Sequence, residues 1–300
     1  MRLSVKRKAL AALCVWVGIV AFAMARTFGP SAQADNPLNS VLEKARKYCQ
    51  RLDKAALDFV CREEVKERAN VLKAPGGTSV IPGVTGYATD SGRLTTVAAP
   101  PEEFKTTTYV YDYQFIRKGG DVKERRDLMK KDGEEVKRED ARIETRHFKF
   151  RDILFGPSLL VGEAAAADHV YELLKKEKIK GQEADVVACE ARPESAGRVL
   201  TGRAWVRRTD GAVLRISWDP ESFAGYQDVL AVAKELKMSP AIKSETEFGV
   251  ERNGLRFPSL DKTDEVYREG TMNFTRSYTT VKYTDYKFFT VETTYEIGRG

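Results

Sequence analysis

The chain has 300 residues, with 50 Lys+Arg against 44 Asp+Glu and a formal net charge of +6. With 42% apolar and 31% charged residues it can build one sizeable core, and it is not a collagen, a disulfide-rich mini-protein or a fully disordered chain. One long apolar run excludes a multi-pass membrane protein, and the basic balance implies a polyanionic partner only if the positive charges are gathered in one place.

Most of the excess, but not most of the basic residues, lies at the N-terminus. Arg2, Lys6, Arg7 and Lys8 precede an uncharged Ala/Leu/Val-rich stretch, Ala9–Ala25, which closes on Ala23-Met24-Ala25, with Ala32-Gln33-Ala34 as a second small-x-small pattern. This is the layout of a secretory signal peptide over residues 1–25. The alternative is an uncleaved anchor, because the run lies at the short end of a bilayer span of about 17–25 residues. Cleavage after Ala25 leaves 46 basic against 44 acidic residues and a net charge of +2. The expected location is therefore periplasmic or otherwise exported. Membrane contact is expected to be transient, or to run through the uncleaved anchor.

Next, Asp35-Asn36-Pro37 supplies a cap and a helix-starting proline. Leu38, Val41, Leu42, Ala45, Tyr48, Cys49 and Leu52 recur at helical spacing. Near Leu57 the period changes to two, with Phe59, Cys61, Glu63 and Val65 on one side of a strand. In an oxidising compartment Cys49 and Cys61 are the expected disulfide. On one straight helix they would lie about 18 Å apart, so the bridge needs the reversal expected at Asp53–Ala56. Cys189 is expected to stay free. Residues 74–101, rich in Gly, Pro, Thr and Ser, predict a long loop inserted between strands.

Strands and hairpins dominate the rest. Tyr109, Tyr111, Tyr113 and Phe115 alternate, and Gly119-Gly120, Asp132-Gly133, Lys180-Gly181, Asp210-Gly211 and Asn253-Gly254 mark turns. Residues 134–151 are charged and weakly patterned, Ile153–Val161 predicts a short helix, and Gly225–Met238 has helical spacing. Met272–Ile297 predicts two strands with a bend at Tyr283–Tyr286. The expected fold is mainly β (α+β): a strongly curved antiparallel sheet, an unclosed half-barrel of about ten or eleven strands. The N-terminal helix and short helices lie on its concave side.

Recognisable chemistry is sparse. No nucleophile elbow, Walker loop, dinucleotide fingerprint or zinc-protease motif occurs. His147 and His169 lie on different segments. Glu63-Glu64 and Glu134-Glu135 are adjacent acids that a strand sends to opposite faces, and they read as solvated charge. No catalytic residue, metal site or cofactor is expected, and scattered basic residues argue against nucleic acid. The aromatic residues Tyr109, Tyr111, Tyr113, Phe115, Trp205, Trp218 and Phe289 form either plain core or an apolar groove in which tyrosine hydroxyls meet a lipid-like ligand's head group.

Several segments carry a resemblance. The helix Leu38–Leu52, the strand opening Leu57-Asp58-Phe59, and Trp205 with the Asp210-Gly211 turn and Val213–Ile216 resemble the outer-membrane lipoprotein-sorting (LolA-like) superfamily. Tyr48-Cys49 with Phe59-Val60-Cys61, Leu154-Phe155-Gly156-Pro157, Arg256-Phe257-Pro258-Ser259 and Tyr283–Phe289 resemble a group of secreted bacterial proteins more closely. The resemblance covers 38–297 and implies a single half-barrel domain carrying a lipid or lipoprotein acyl chain. The competing expectation is a non-catalytic envelope module with a packed core and a protein partner.

Overall fold

The computed structural model describes residues 36–71, 103–118, 121–145 and 153–289. The expected signal peptide, the 74–101 loop, His147 and the stretch beyond Phe289 lie outside the described residues.

The first element, α1 (Pro37–Lys54), starts where the sequence places it. The Asn36 side chain accepts from the Leu38 N–H at 3.1 Å, and Pro37 occupies the first turn, where its missing N–H does no harm. Val41, Leu42, Ala45, Tyr48, Cys49 and Leu52 form its buried stripe. Ala55 and Ala56 reverse the chain into β1 (Leu57–Asn70). There follow β2 (Phe104–Lys118), β3 (Asp121–Lys131) and β4 (Glu134–Arg138), then α2 (Gly156–Val161). Beyond α2 come β5 (His169–Ile179), β6 (Gln182–Ala191), β7 (Gly202–Arg207), β8 (Val213–Trp218) and α3 (Tyr226–Leu236). The last elements are β9 (Ser239–Pro240), β10 (Lys243–Glu247), β11 (Val250–Arg252), β12 (Leu255–Phe257), β13 (Leu260–Glu269) and β14 (Met272–Phe288).

Twelve of these strands form one antiparallel sheet in the order β4-β3-β2-β1-β14-β13-β10-β8-β7-β6-β5, with β9 added to β13; β11 and β12 form a separate hairpin. Among the described residues the sheet does not close, and β4 and β5 are its edges. The expected half-barrel is the observed one, with more strands than expected because β4, β9 and β11 are too short to show a period. Met272–Phe288 is one strand rather than two. Asp285 adopts φ +56°, and the register against β1 shifts between Val60 and Arg62. An extra residue is thus absorbed as a bulge instead of turning the chain. Asp132-Gly133, Lys180-Gly181 and Asn253-Gly254 all have positive φ at both positions, as two-residue hairpin turns require.

One core cluster lies on the inner face. It joins the α1 stripe to Phe59, Tyr111, Phe115, Leu160, Ile216 and Phe257. The helices are tied down by polar links. The Arg117 guanidinium donates to the Leu52 carbonyl and, at 2.9 Å, to that of Ala55, capping the end of α1. Ser158 Oγ on α2 donates to Asp53 at 2.7 Å, and Tyr171 OH on β5 donates to the Leu160 carbonyl at 3.0 Å. The opposite face of β6–β8 carries its own cluster of Ile179, Ala184, Val186, Trp205 and Leu214. Helix α3 packs on Tyr267 and Phe274.

Candidate ligand-binding face

The alternation in β2 puts Tyr109, Tyr111, Tyr113 and Phe115 on the inner face, opposite Val65, Glu63, Cys61 and Phe59 of β1. The rings pack on one another. Phe59 lies 5.4 Å from Phe115, 6.1 Å from Tyr113 and 5.5 Å from Phe257 between centroids, distances at which aromatic pairs gain beyond area alone. Tyr109 OH donates to the Glu144 carbonyl at 3.2 Å, and Tyr111 OH accepts from the Glu144 N–H at 3.2 Å. Those hydroxyls are engaged by the backbone of Glu144.

Trp218 shares this face, and Gly156 at the start of α2 lies against it. A Cβ on Gly156 would come within 2.9 Å of the Trp218 ring. The two other aromatic residues are elsewhere. Trp205 pairs with Arg215 while Trp218 pairs with Gly202, so the two tryptophans point to opposite faces. Trp205 Nε1–H donates to Glu177 at 2.6 Å, and the Arg215 guanidinium sits over its ring at 5.6 Å. Phe289, 53% exposed, directly follows β14, its backbone N–H donating to the Asp58 carbonyl at 2.8 Å.

The expected Cys49–Cys61 bridge is not formed; Cys49, Cys61 and Cys189 are buried free thiols. The reversal between helix and strand exists, but the two side chains face different neighbours. Cys49 lies beside Ser158 and Asp53, and burial pushes its thiol up to about 12; Cys61 lies beside Glu63 and Tyr286, and burial raises it too. His169 is held between the Ala165 and Leu200 carbonyls at 2.9 and 2.8 Å, a structural position. Among the described residues no group of His, Cys, Asp or Glu could hold a metal ion. No helix among them is long and apolar enough to cross a membrane.

A polar strip crosses the middle of the inner face, and sequence reasoning missed it. Glu63 and Glu67 on β1, Ser277 and Thr279 on β14, Asp261 and Glu265 on β13, and Thr246 on β10 are all buried. Glu63, read as solvated, is fully buried and paired with Arg126, with contacts of 2.7 and 3.3 Å. It shares parity with Phe59, Cys61 and Val65, a signal already present in the alternation. Glu265 accepts from Tyr267 OH at 2.6 Å and from Arg276 at 2.7 Å.

Asp261 is different. Trp218 Nε1–H donates to Thr246 Oγ1 at 2.9 Å, and Thr246 Oγ1 donates to Asp261 Oδ2 at 2.5 Å. Asp261 Oδ1 and Thr279 Oγ1 have no hydrogen-bond partner among the described residues. Burial raises the Asp261 carboxyl to about 7, against the opposing Thr246 hydrogen bond. In the unfolded chain it titrates near 3.9, about the reference value for Asp. Between those values the folded state binds more protons than the unfolded one, so stability falls as pH rises through this window. From pH 5 to pH 8 the wild type should lose about 2–3 kcal/mol more than Asp261→Asn. Urea unfolding at the two pH values measures this, and parallel losses in the two proteins would refute a carboxyl protonated by burial.

A cavity of about 410 Å³ opens beneath the N-terminal half of α1, where Pro37, Val41 and Lys44 face Leu173 and Lys176 of β5 and Val206 of β7. Val41 and Val206 belong to the same cluster as the aromatic stripe, and Leu173 packs on it. The volume falls within the range of small-molecule sites, about 300–1,000 Å³.

No family model and no curated protein matches the sequence. Among solved structures the chain is similar to an outer-membrane lipoprotein-sorting protein domain from Vibrio parahaemolyticus, at 12% identity over 84% of this chain and 93% of that one, with a TM-score of 0.43. It is also similar to a LolA superfamily protein from Nitrosomonas europaea, at 12% identity over 85% and 94% of the two chains, TM-score 0.33. A DUF1329 family protein from Desulfovibrio piger aligns at 11% identity over 88% and 95%, TM-score 0.34.

Proposed function

We propose that the chain is an exported, periplasmic, non-catalytic carrier that binds a lipid or lipoprotein acyl chain between its helices and the concave face of the sheet. The observation that carries this reading is the cavity under α1, where Val41, Leu173 and Val206 continue the core cluster and Lys44, Lys176, Glu183, Asp185, Arg207 and Arg208 also line it. Helices α1 and α2, joined by the Ser158–Asp53 hydrogen bond, act as the lid. Apolar burial of about 25 cal/mol per Å² drives binding, offset by displacing the lid. Purified protein should yield lipid on solvent extraction and should take up a fluorescent fatty-acid probe. An empty extract together with no uptake would rule the carrier out.

The dense packing of Phe59, Tyr111 and Phe115 supports a second reading, an envelope interaction module with a filled core. That reading places a protein partner at a sheet edge or at residues 74–101. It predicts no probe uptake and loss of the partner when 74–101 is deleted.

A further inference from the structure

We propose that Asp261 and Thr279 form a head-group subsite for an uncharged, hydroxyl-bearing amphiphile whose alkyl chain lies on the aromatic side of the same face. The inference rests on the carrier reading and specifies what it carries. Asp261 pairs with Val281, and Thr279 pairs with Thr263, so the two residues are diagonal neighbours on the inner face, about 7–8 Å apart. Neighbouring hydroxyls of one ligand can meet both. Each residue is at most 2% exposed, and each keeps one oxygen unpartnered among the described residues. An orphaned buried polar atom is costly, and such atoms are rare enough in folded proteins to need an explanation.

The surroundings select the chemistry. The Thr246 proton is committed to Asp261 Oδ2, which leaves Oδ1 as the open position. A carboxyl oxygen there accepts from a ligand hydroxyl when ionised and donates to it when protonated, so a hydroxyl suits both states. Glu63 and Glu265 already hold Arg126 and Arg276. Both ion pairs are closed on themselves, so neither offers an unpaired charge to a ligand head. Tyr283 lies among Glu63, Asp261 and Arg126 and offers a ring beside the polar floor. The route in runs through the lid. Gly156 of α2 rests on Trp218, and Trp218 begins the hydrogen-bond chain that ends at Asp261.

The test is titration of the full chain lacking residues 1–25 with dodecyl maltoside, dodecyl phosphate and dodecylamine, each below its micellar concentration. The maltoside should bind about tenfold tighter than either charged probe, the scale of one good hydrogen bond. Thr279→Val, close to isosteric, should weaken the maltoside by about tenfold and leave the other two unchanged. Asp261→Ala, whose folding is checked by its thermal transition, should also weaken the maltoside selectively. Equal binding of all three probes, tighter binding of a charged one, or no effect of Thr279→Val would overturn the subsite and leave the carrier standing. Failure of every probe to bind would instead remove the carrier reading.

Discussion

Replacing Gly211 with alanine is expected to cost about 3–5 kcal/mol, enough to unfold a marginal domain. Two effects combine. Gly211 has φ +78°, which costs an L-residue roughly 1–2 kcal/mol. A Cβ would also sit 2.2 Å from the Lys44 carbonyl oxygen and 2.7 Å from the Ala45 nitrogen. That contact is with the backbone of α1, so no side chain can swing away. Either the helix lifts from the sheet and exposes its stripe, or the β7–β8 turn distorts. Gly181→Ala is the control. Gly181 has φ +82° and nothing within 4 Å of an added Cβ, so it should lose only the conformational part, about 1 kcal/mol. Urea midpoints of the two variants measure the difference. Equal losses would show that α1 does not rest on this turn.

Arg126→Met should cost about 3–5 kcal/mol, because it strands a carboxylate in the core. Glu63 is fully buried, and Arg126 grips it with two contacts while stacking on Tyr113 at 4.4 Å. Adding Glu63→Gln to Arg126→Met removes the uncompensated charge and should restore most of the loss, since neutral replacements of buried ion pairs are often tolerated. The double-mutant cycle isolates the coupling. A cycle with no coupling would place Glu63 in contact with water.

Local chemistry made much of this fold legible. Asn36-Pro37 starts α1 and its apolar period defines the buried stripe, because caps and periodicity act within a few residues. Asp132-Gly133, Lys180-Gly181 and Asn253-Gly254 turn where the sequence puts them, since few dipeptides accept positive φ twice. The stripe from Tyr109 to Phe115 faces inward because strand alternation has a fixed period. What was not legible depends on register. The two tryptophans part because the β7–β8 pairing sets Trp205 opposite Arg215 and Trp218 opposite Gly202, and one residue of slip would reverse a face. The Cys49–Cys61 bridge was inferred from spacing along the chain, whereas the structure buries the two thiols unbonded among different neighbours.

The sequence by itself determined the longer elements, the antiparallel connections and the half-barrel class, because these follow from turns, caps and alternation. Only the tertiary structure decided that β1 lies between β2 and β14. That neighbour relation carries Glu63 and Glu67 into the interior beside Ser277 and Thr279, and Asp261 one strand further on. A carboxylate on a strand has no local preference for either face that its neighbours cannot override. Its burial is settled by the arginine or threonine that long-range pairing brings to it. The candidate site was therefore invisible as a motif, although every residue in it sits where simple alternation would place it.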